Sequence, residues 1–239
     1  MKQKLLLGFI LFSFVSTAQL WFDIGLKGGL GAGFLNHKTI AKDSRLSPAP
    51  GLNNFYGGKL GVNFGEKHSF TIDGSFGGNQ YKFIQSGISD IKKNYEYKID
   101  FTAINLQLFY KKTNDAQYFE IGPEIFMLRS VVIVDQASSI VPIQNALAKN
   151  VMGAVFGFGG YIIGNQTISL SMGLRFHYTF TDLTAEALAS TNFPLTNYPD
   201  ITTHEISKLL SAQVLFELNY SLGQIAHASC GKRTAFIRL

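Results

Sequence analysis

Residues 166–180, QTISLSMGLRFHYTF, put an apolar side chain at every second position: Ile168, Leu170, Met172, Leu174, Phe176, Tyr178 and Phe180. Thr167, Ser169, Ser171, Gly173, Arg175, His177 and Thr179 lie between them. A period of two is a β-strand with one oily and one polar face. The alternation recurs along the chain. Over 20–34 the even positions include Leu20, Phe22, Ile24, Leu26, Leu30 and Phe34, while Asp23 and Lys27 take odd ones. Tyr56, Leu60, Val62 and Phe64 oppose Lys59 and Asn63, and Phe70, Ile72 and Phe76 oppose Thr71, Asp73 and Ser75. Over 95–110 the apolar residues are odd-numbered up to Ala103 and even-numbered from Ile104, which predicts a bulge at that point. Phe119, Ile121, Ile125 and Met127 oppose Glu120 and Glu124; Leu210, Val214, Phe216 and Leu218 oppose Ser211, Gln213 and Glu217.

Residues 151–163 carry no charge, and two Gly-x-x-x-Gly spacings there imitate a transmembrane helix pair. Gly153, Gly157, Gly159, Gly160 and Gly164 are poor helix interiors, however, and GNQT at 164–167 reads as a turn. The segment is predicted as a strand, which makes eight.

The connections then sort by length. Those at 65–67, 112–117 and 164–166 are short; those at 35–54, 86–94, 134–150 and 182–208 are long, and the two kinds alternate. A soluble sandwich has no reason to segregate its loops this way. The pattern predicts an all-β fold: an eight-stranded antiparallel up-and-down transmembrane β-barrel with long extracellular loops and short periplasmic turns. Aromatics agree. Phe22, Phe64, Phe70, Tyr110, Phe119 and Tyr220 fall near the turn end, and Phe34, Tyr56, Tyr97, Tyr178 and Phe180 near the loop end, as two interfacial girdles would. Closure leaves no strand edge unpaired in hydrocarbon.

The ends add a compartment. MKQKLLLGFILFSFVSTAQ has Lys2 and Lys4, an apolar run over 5–15 and small residues to Ala18. This reads as a secretory signal over 1–18, too short to span a bilayer as a helix. The expected organisation is a signal peptide at 1–18, an outer-membrane barrel at 19–223 and a periplasmic tail at 224–239. Export makes nucleic acid an unsuitable partner for the net charge of +5. The single cysteine, Cys230, cannot form an internal disulfide.

Projecting the strands inward predicts a lumen charge network of Asp23, Lys27, Lys59, Asp73, Glu120, Glu124, Arg175 and Glu217, with Asp100 and His177 on the same side. A barrel of eight strands is just wide enough for its own side chains, so these charges are expected to pair and plug the lumen. The alternative is an ion path past Glu120, Glu124 and Arg175. No catalytic constellation follows from the spacing. Ser171 and His177 share one face but lie about 20 Å apart at ~3.3 Å per residue. His68 and its neighbour Ser69 point to opposite faces. No cluster has metal-ligand spacing, and the Gly-rich GLKGGLGAGF of 25–34 lies within a strand, so no cofactor or nucleotide is expected. In the loops, Lys38, Lys42, Arg45, Lys92 and Lys93 are candidates to meet phosphates of surface lipopolysaccharide.

The opening AQLWFDIGLKGGLGAGF followed by FYGGKLGVNF resembles the outer-membrane β-barrel proteins of Bacteroidota, the broad PorT-like group. That resemblance implies a small OmpA- or OmpX-type barrel and a role as an accessory to secretion or to larger envelope assemblies. It supplies no catalytic residue. The chain departs from it at 223–239, where GQIAHASCGKRTAFIRL continues past the last strand. The expected function is a non-enzymatic structural or accessory barrel serving secretion, uptake or adhesion, with an envelope partner met through loops or tail. A lipid-modifying enzyme and a small porin-like pore are the alternatives.

Overall fold

The computed structural model describes residues 20–37, 46–65, 67–86, 95–134, 140–142, 147–165, 167–183, 206–222 and 237–238. Eight long strands dominate the described residues: β1 (Leu20–His37), β2 (Gly51–Phe64), β3 (His68–Gln85), β4 (Tyr95–Asn114), β5 (Gln117–Val134), β6 (Asn150–Gly164), β7 (Ile168–Thr179) and β8 (Ser207–Ser221). Each pairs antiparallel with its neighbour in sequence, and β8 pairs back onto β1. The ring is closed.

Closure fixes a stagger. Following Cα partners from Phe22 leads through Val62, Phe70, Tyr110, Ile121, Phe156, Phe176 and Ala212 to Ala32, so one circuit returns to β1 ten residues further on. Such a stagger tilts the strands by roughly 35–45°. At ~3.3 Å per residue and about 45° of tilt, the 12 residues of β7 rise about 28 Å, close to the height of a bilayer's apolar core.

The short connections are built by turn chemistry. Asn114 pairs with Gln117, and Asp115 between them takes φ 52°. Gly65 has φ 62° where β2 turns into β3. Asn165 Oδ1 accepts from the amides of Thr167 (2.9 Å) and Ile168 (2.8 Å), closing the third turn. At this end β6 runs past the start of β5, and the backbone of Ile237–Arg238 pairs in parallel beside Ile163 and Gly164.

Strand lengths differ around the ring. β3, β4 and β5 have 18, 20 and 18 residues, against 15, 12 and 15 for β6, β7 and β8. The extra length lies at the loop end, where three strands rise as a wall. Its flanks are covered: Leu46–Ala49 pairs with the top of β3 and Ile140–Pro142 with the top of β5. Parts of the segments expected as loops, 35–37 and 51–54, are strand as well.

The predicted bulge takes a different form. The β4–β5 register shifts between Thr102 and Ala103, and the extra residue is Arg129 on β5. On β4 the odd positions stay inward throughout: Ile99, Phe101 and Ala103 are buried, and so are Asn105, Gln107 and Phe109. The change of hydrophobic phase near Ala103 therefore marks a change in what the interior contains, not a reversal of the strand.

Outside, the apolar faces have no protein against them. Leu26 is 70% exposed and Leu60 63%, with Leu30, Ile72, Leu108, Ile121, Phe156 and Leu218 exposed around the ring. Phe22, Phe70, Phe119 and Tyr220 lie exposed near the turns, and Phe34, Tyr56, Tyr178 and Phe180 near the loops. The side chain of Tyr97 is outside the described residues. At the top of the band Tyr56 meets Phe76 edge-on at 5.7 Å and Tyr178 meets Phe180 likewise at 5.7 Å. No described helix is long and apolar enough to cross a membrane; the strands carry the apolar surface.

Candidate functional site

The alternation that exposes Leu60 and Ile72 turns Lys59 and Asp73 inward. Nine charged side chains are buried among the described residues: Lys27, Lys59, Lys111 and Arg175 against Asp23, Asp73, Glu120, Glu124 and Glu217. They come from β1, β2, β3, β4, β5, β7 and β8 and meet in the turn-side half of the lumen.

Arg175 is the hub. Its Nε donates to Glu120 Oε1 (2.5 Å), Nη2 to Asp73 Oδ2 (2.9 Å) and Nη1 to Gln107 Oε1 (3.2 Å), and its guanidinium lies 4.4 Å from the centre of the Phe109 ring. Asp73 Oδ2 also accepts from Lys27 Nζ at 2.5 Å. A second cluster joins Lys59 to Glu217 (2.6 Å) and Asp23 (3.5 Å), with Lys111 3.7 Å from Glu217. Lys111 also lies 3.6 Å from the centre of the Tyr118 ring, and Tyr118 packs on Tyr161 at 5.8 Å. Glu124 Oε2 takes His177 Nδ1 at 2.8 Å and Gln107 Nε2 at 3.1 Å.

Glu120 on β5 and Arg175 on β7 meet across β6, whose Gly157 is in register with both, so this arrangement needs a thin strand between them. A Cβ on Gly157 would stand 2.8 Å from Glu120 Oε1 and 3.2 Å from Arg175 Cγ, and one on Gly159 would stand 2.6 Å from Tyr118. The glycines of β6 are therefore where lumen side chains lie against bare backbone.

Above the charges the lumen changes character. Leu35, Tyr81, Phe83, Ile99, Phe101, Phe126, Val131, Val151 and Leu209 form one buried apolar cluster at the loop end, joined by Leu147 and Leu183 from the loop bases. Tyr81 stacks on Phe101 at 5.4 Å. Backbone bonds tie the loop bases across the rim: Ala148 N to Leu183 O (2.8 Å) and Leu183 N to Ser207 O (2.9 Å).

All eight residues expected in the lumen network are in it, and His177 joins them. Asp100 is the exception: on the even-numbered face of β4 it points outward, where its Oδ1 accepts from Gln80 Nε2 at 2.9 Å. Sequence reasoning missed Lys111, Gln107 and Tyr118. Lys111 continues the inward odd-numbered face of β4, a signal hidden by placing it at the edge of a turn. Ser171 and His177 are both buried in the lumen, and His177 Nδ1 faces Glu124. No group of histidine, cysteine and carboxylate among the described residues is set to hold a metal. Lys38, Lys42, Arg45, Lys92 and Lys93 lie outside the described residues, as do the segment 1–19 and Cys230.

A closed antiparallel ring with an apolar exterior and a polar filling is the architecture of an outer-membrane-type β-barrel, and this chain has it. No family model and no curated relative matches the sequence. Among solved structures it is similar to Neisserial surface protein A, at 11% identity over 83% of this chain and 96% of that one, with a TM-score of 0.41. It is also similar to Ail, the attachment invasion locus protein of Yersinia pestis (7% identity, 83% and 99% covered, TM-score 0.38). The translocator domain of the autotransporter NalP from Neisseria meningitidis is a third (9% identity, 92% and 94% covered, TM-score 0.35). The fold class rests on the closed register, to which these likenesses add nothing.

Proposed function

We propose that the chain is a non-enzymatic, non-conducting outer-membrane barrel, an accessory subunit whose rigid body presents the loops and the raised β3–β5 wall to an envelope partner. The observation that carries this reading is the two-layer filling of the lumen. An ion entering from the turns meets the bonded Arg175, Glu120 and Asp73 side chains. Beyond them it meets the cluster of Leu35, Tyr81, Phe101, Val151 and Leu209, a mainly apolar layer that offers few groups to replace its hydration. Binding then belongs to the surface, where loops on a rigid scaffold do such work. In this reading the loop cations Lys38, Lys42, Arg45, Lys92 and Lys93 meet lipopolysaccharide phosphates, and the tail at 224–239 is a second contact for a periplasmic partner. Membership of the PorT-like group of Bacteroidota is part of the proposal and is supported by the opening motif and the glycine-rich first strand.

Single-channel recording tests it. The refolded barrel in a planar bilayer is expected to give no unitary conductance, with insertion checked by heat-modifiable migration on gels. Steady ohmic steps from the inserted wild-type chain would overturn the reading in favour of a pore.

A further inference from the structure

On the outer face of the wall a groove of about 470 Å³ crosses five strands. Register explains it. Leu30, Asn54, Gly78, Thr102 and Ser130 form one continuous rung from β1 to β5, and Gly78 at its centre has no side chain. The outward rung below is bulky, with Tyr56, Phe76, Ile104 and Met127 in register. Above it Gln80, Asp100 and Val132 form the opposite bank, with Leu52 alongside. A trough of small residues between two ridges results.

Its position selects the occupant. The lower ridge is the aromatic top of the apolar band, so the trough lies at the level of lipid headgroups. Leu30, which lines it, continues downward into exposed Leu26, a path for an acyl chain. The chemistry narrows this further. Asp100 has one oxygen engaged, by Gln80. Asn54 Oδ1 accepts from the Gly78 amide at 2.9 Å, which leaves the two amide hydrogens of Asn54 to donate. Thr102 and Ser130 hydroxyls share one hydrogen bond at 3.0 Å, so one hydroxyl proton remains. No cation lines the groove; Lys82 and Lys98, higher on the wall, both face Glu96, at 3.4 and 3.6 Å. Exposed Arg129, beside Ser130, is not among the lining residues either, so a phosphate seated in the trough would meet the Asp100 carboxylate first. A hydroxyl-rich ring supplies both donors and acceptors and no charge.

We propose that this trough seats the saccharide head of an outer-leaflet glycolipid. The inference rests on the membrane reading of the exterior. The test uses the mature full-length chain in phosphatidylcholine nanodiscs, with NMR of the Gly78 amide and the Asn54 and Gln80 side-chain amides. Monoglucosyl diacylglycerol is expected to shift these signals saturably, and phosphatidylglycerol and free glucose at the same concentrations are not. Ser130→Phe, which fills the trough, and Asp100→Lys, which removes the acceptor, are each expected to weaken the glycolipid affinity about tenfold, the value of one hydrogen bond to a charged group. Equal shifts from phosphatidylglycerol or glucose, or variants that titrate like the wild type, would overturn the assignment while an inserted barrel stands. A chain that stays out of the nanodiscs overturns the membrane reading and this inference together.

Discussion

The two halves of one lumen are filled by opposite means. On the turn side, four bases and five carboxylates are held by bonds such as Arg175 to Glu120 and Lys59 to Glu217. On the loop side, Phe101, Tyr81 and Leu209 fill the same ring chiefly by apolar packing, with a few hydrogen bonds such as Leu209 N to Thr179 Oγ1 beside it. The charged half is surrounded by lipid, where an inward-facing side chain can leave its neighbours but not reach water. Paired charges there are costly to bury and costlier to separate. The apolar half lies level with the top of the band and the raised wall, where water is near and an oily interior is what keeps the rim shut. A polar filling thus holds the middle of the barrel and a hydrophobic one seals its mouth.

Removing the hub should have the largest effect. Arg175→Met leaves Asp73 and Glu120 buried without their shared cation and is expected to cost about 3–5 kcal/mol, read by urea unfolding in lipid vesicles with Trp21 fluorescence. Adding Glu120→Leu should return part of that loss; a double variant as unstable as the sum of the single ones would mean that packing, not charge, governs this layer. Phe101→Ala tests the other half. It opens a cavity in the upper cluster at about 3–4 kcal/mol, with the charged layer intact, so conductance should stay absent. Current through this variant would show that the apolar layer alone blocks the lumen.

The exterior offers a smaller contrast. Leu60→Arg near mid-band is expected to cost about 2–4 kcal/mol in vesicles, whereas Thr102→Lys above the band should cost about 0–1 kcal/mol. Equal costs at the two positions would misplace the upper limit of the lipid. The groove predicts a still smaller change in stability, none beyond that for Ser130→Phe, with its effect confined to glycolipid binding.

Strands, their inward faces and the lumen network could be read from the sequence because alternation is local: Asp73 faces opposite to Ile72 whatever surrounds them. Asp100 and Ile99 were misread for the same reason. Alternation divides the two faces of a strand but does not say which one is inside, and an apolar residue suits lipid and plug equally. Ile99, Phe101 and Ala103 face inward because β4 keeps one parity along its length; the outward side can be polar beside them because β4 rises above the band there, and strand height depends on the stagger of the whole ring. Lys111 was missed because it stands at the edge of the segment taken for a turn, although the inward face of β4 continues to it.

Taken alone, the chain's residue order determined the eight alternating segments, the short turns between them and the polarity of each face, since period and turn chemistry are properties of neighbours in sequence. Tertiary structure decided the ten-residue stagger, the two layers of the lumen and the rung from Leu30 to Ser130. Those depend on register between strands distant in sequence, and register is set only when the ring closes and every inward side chain must find room.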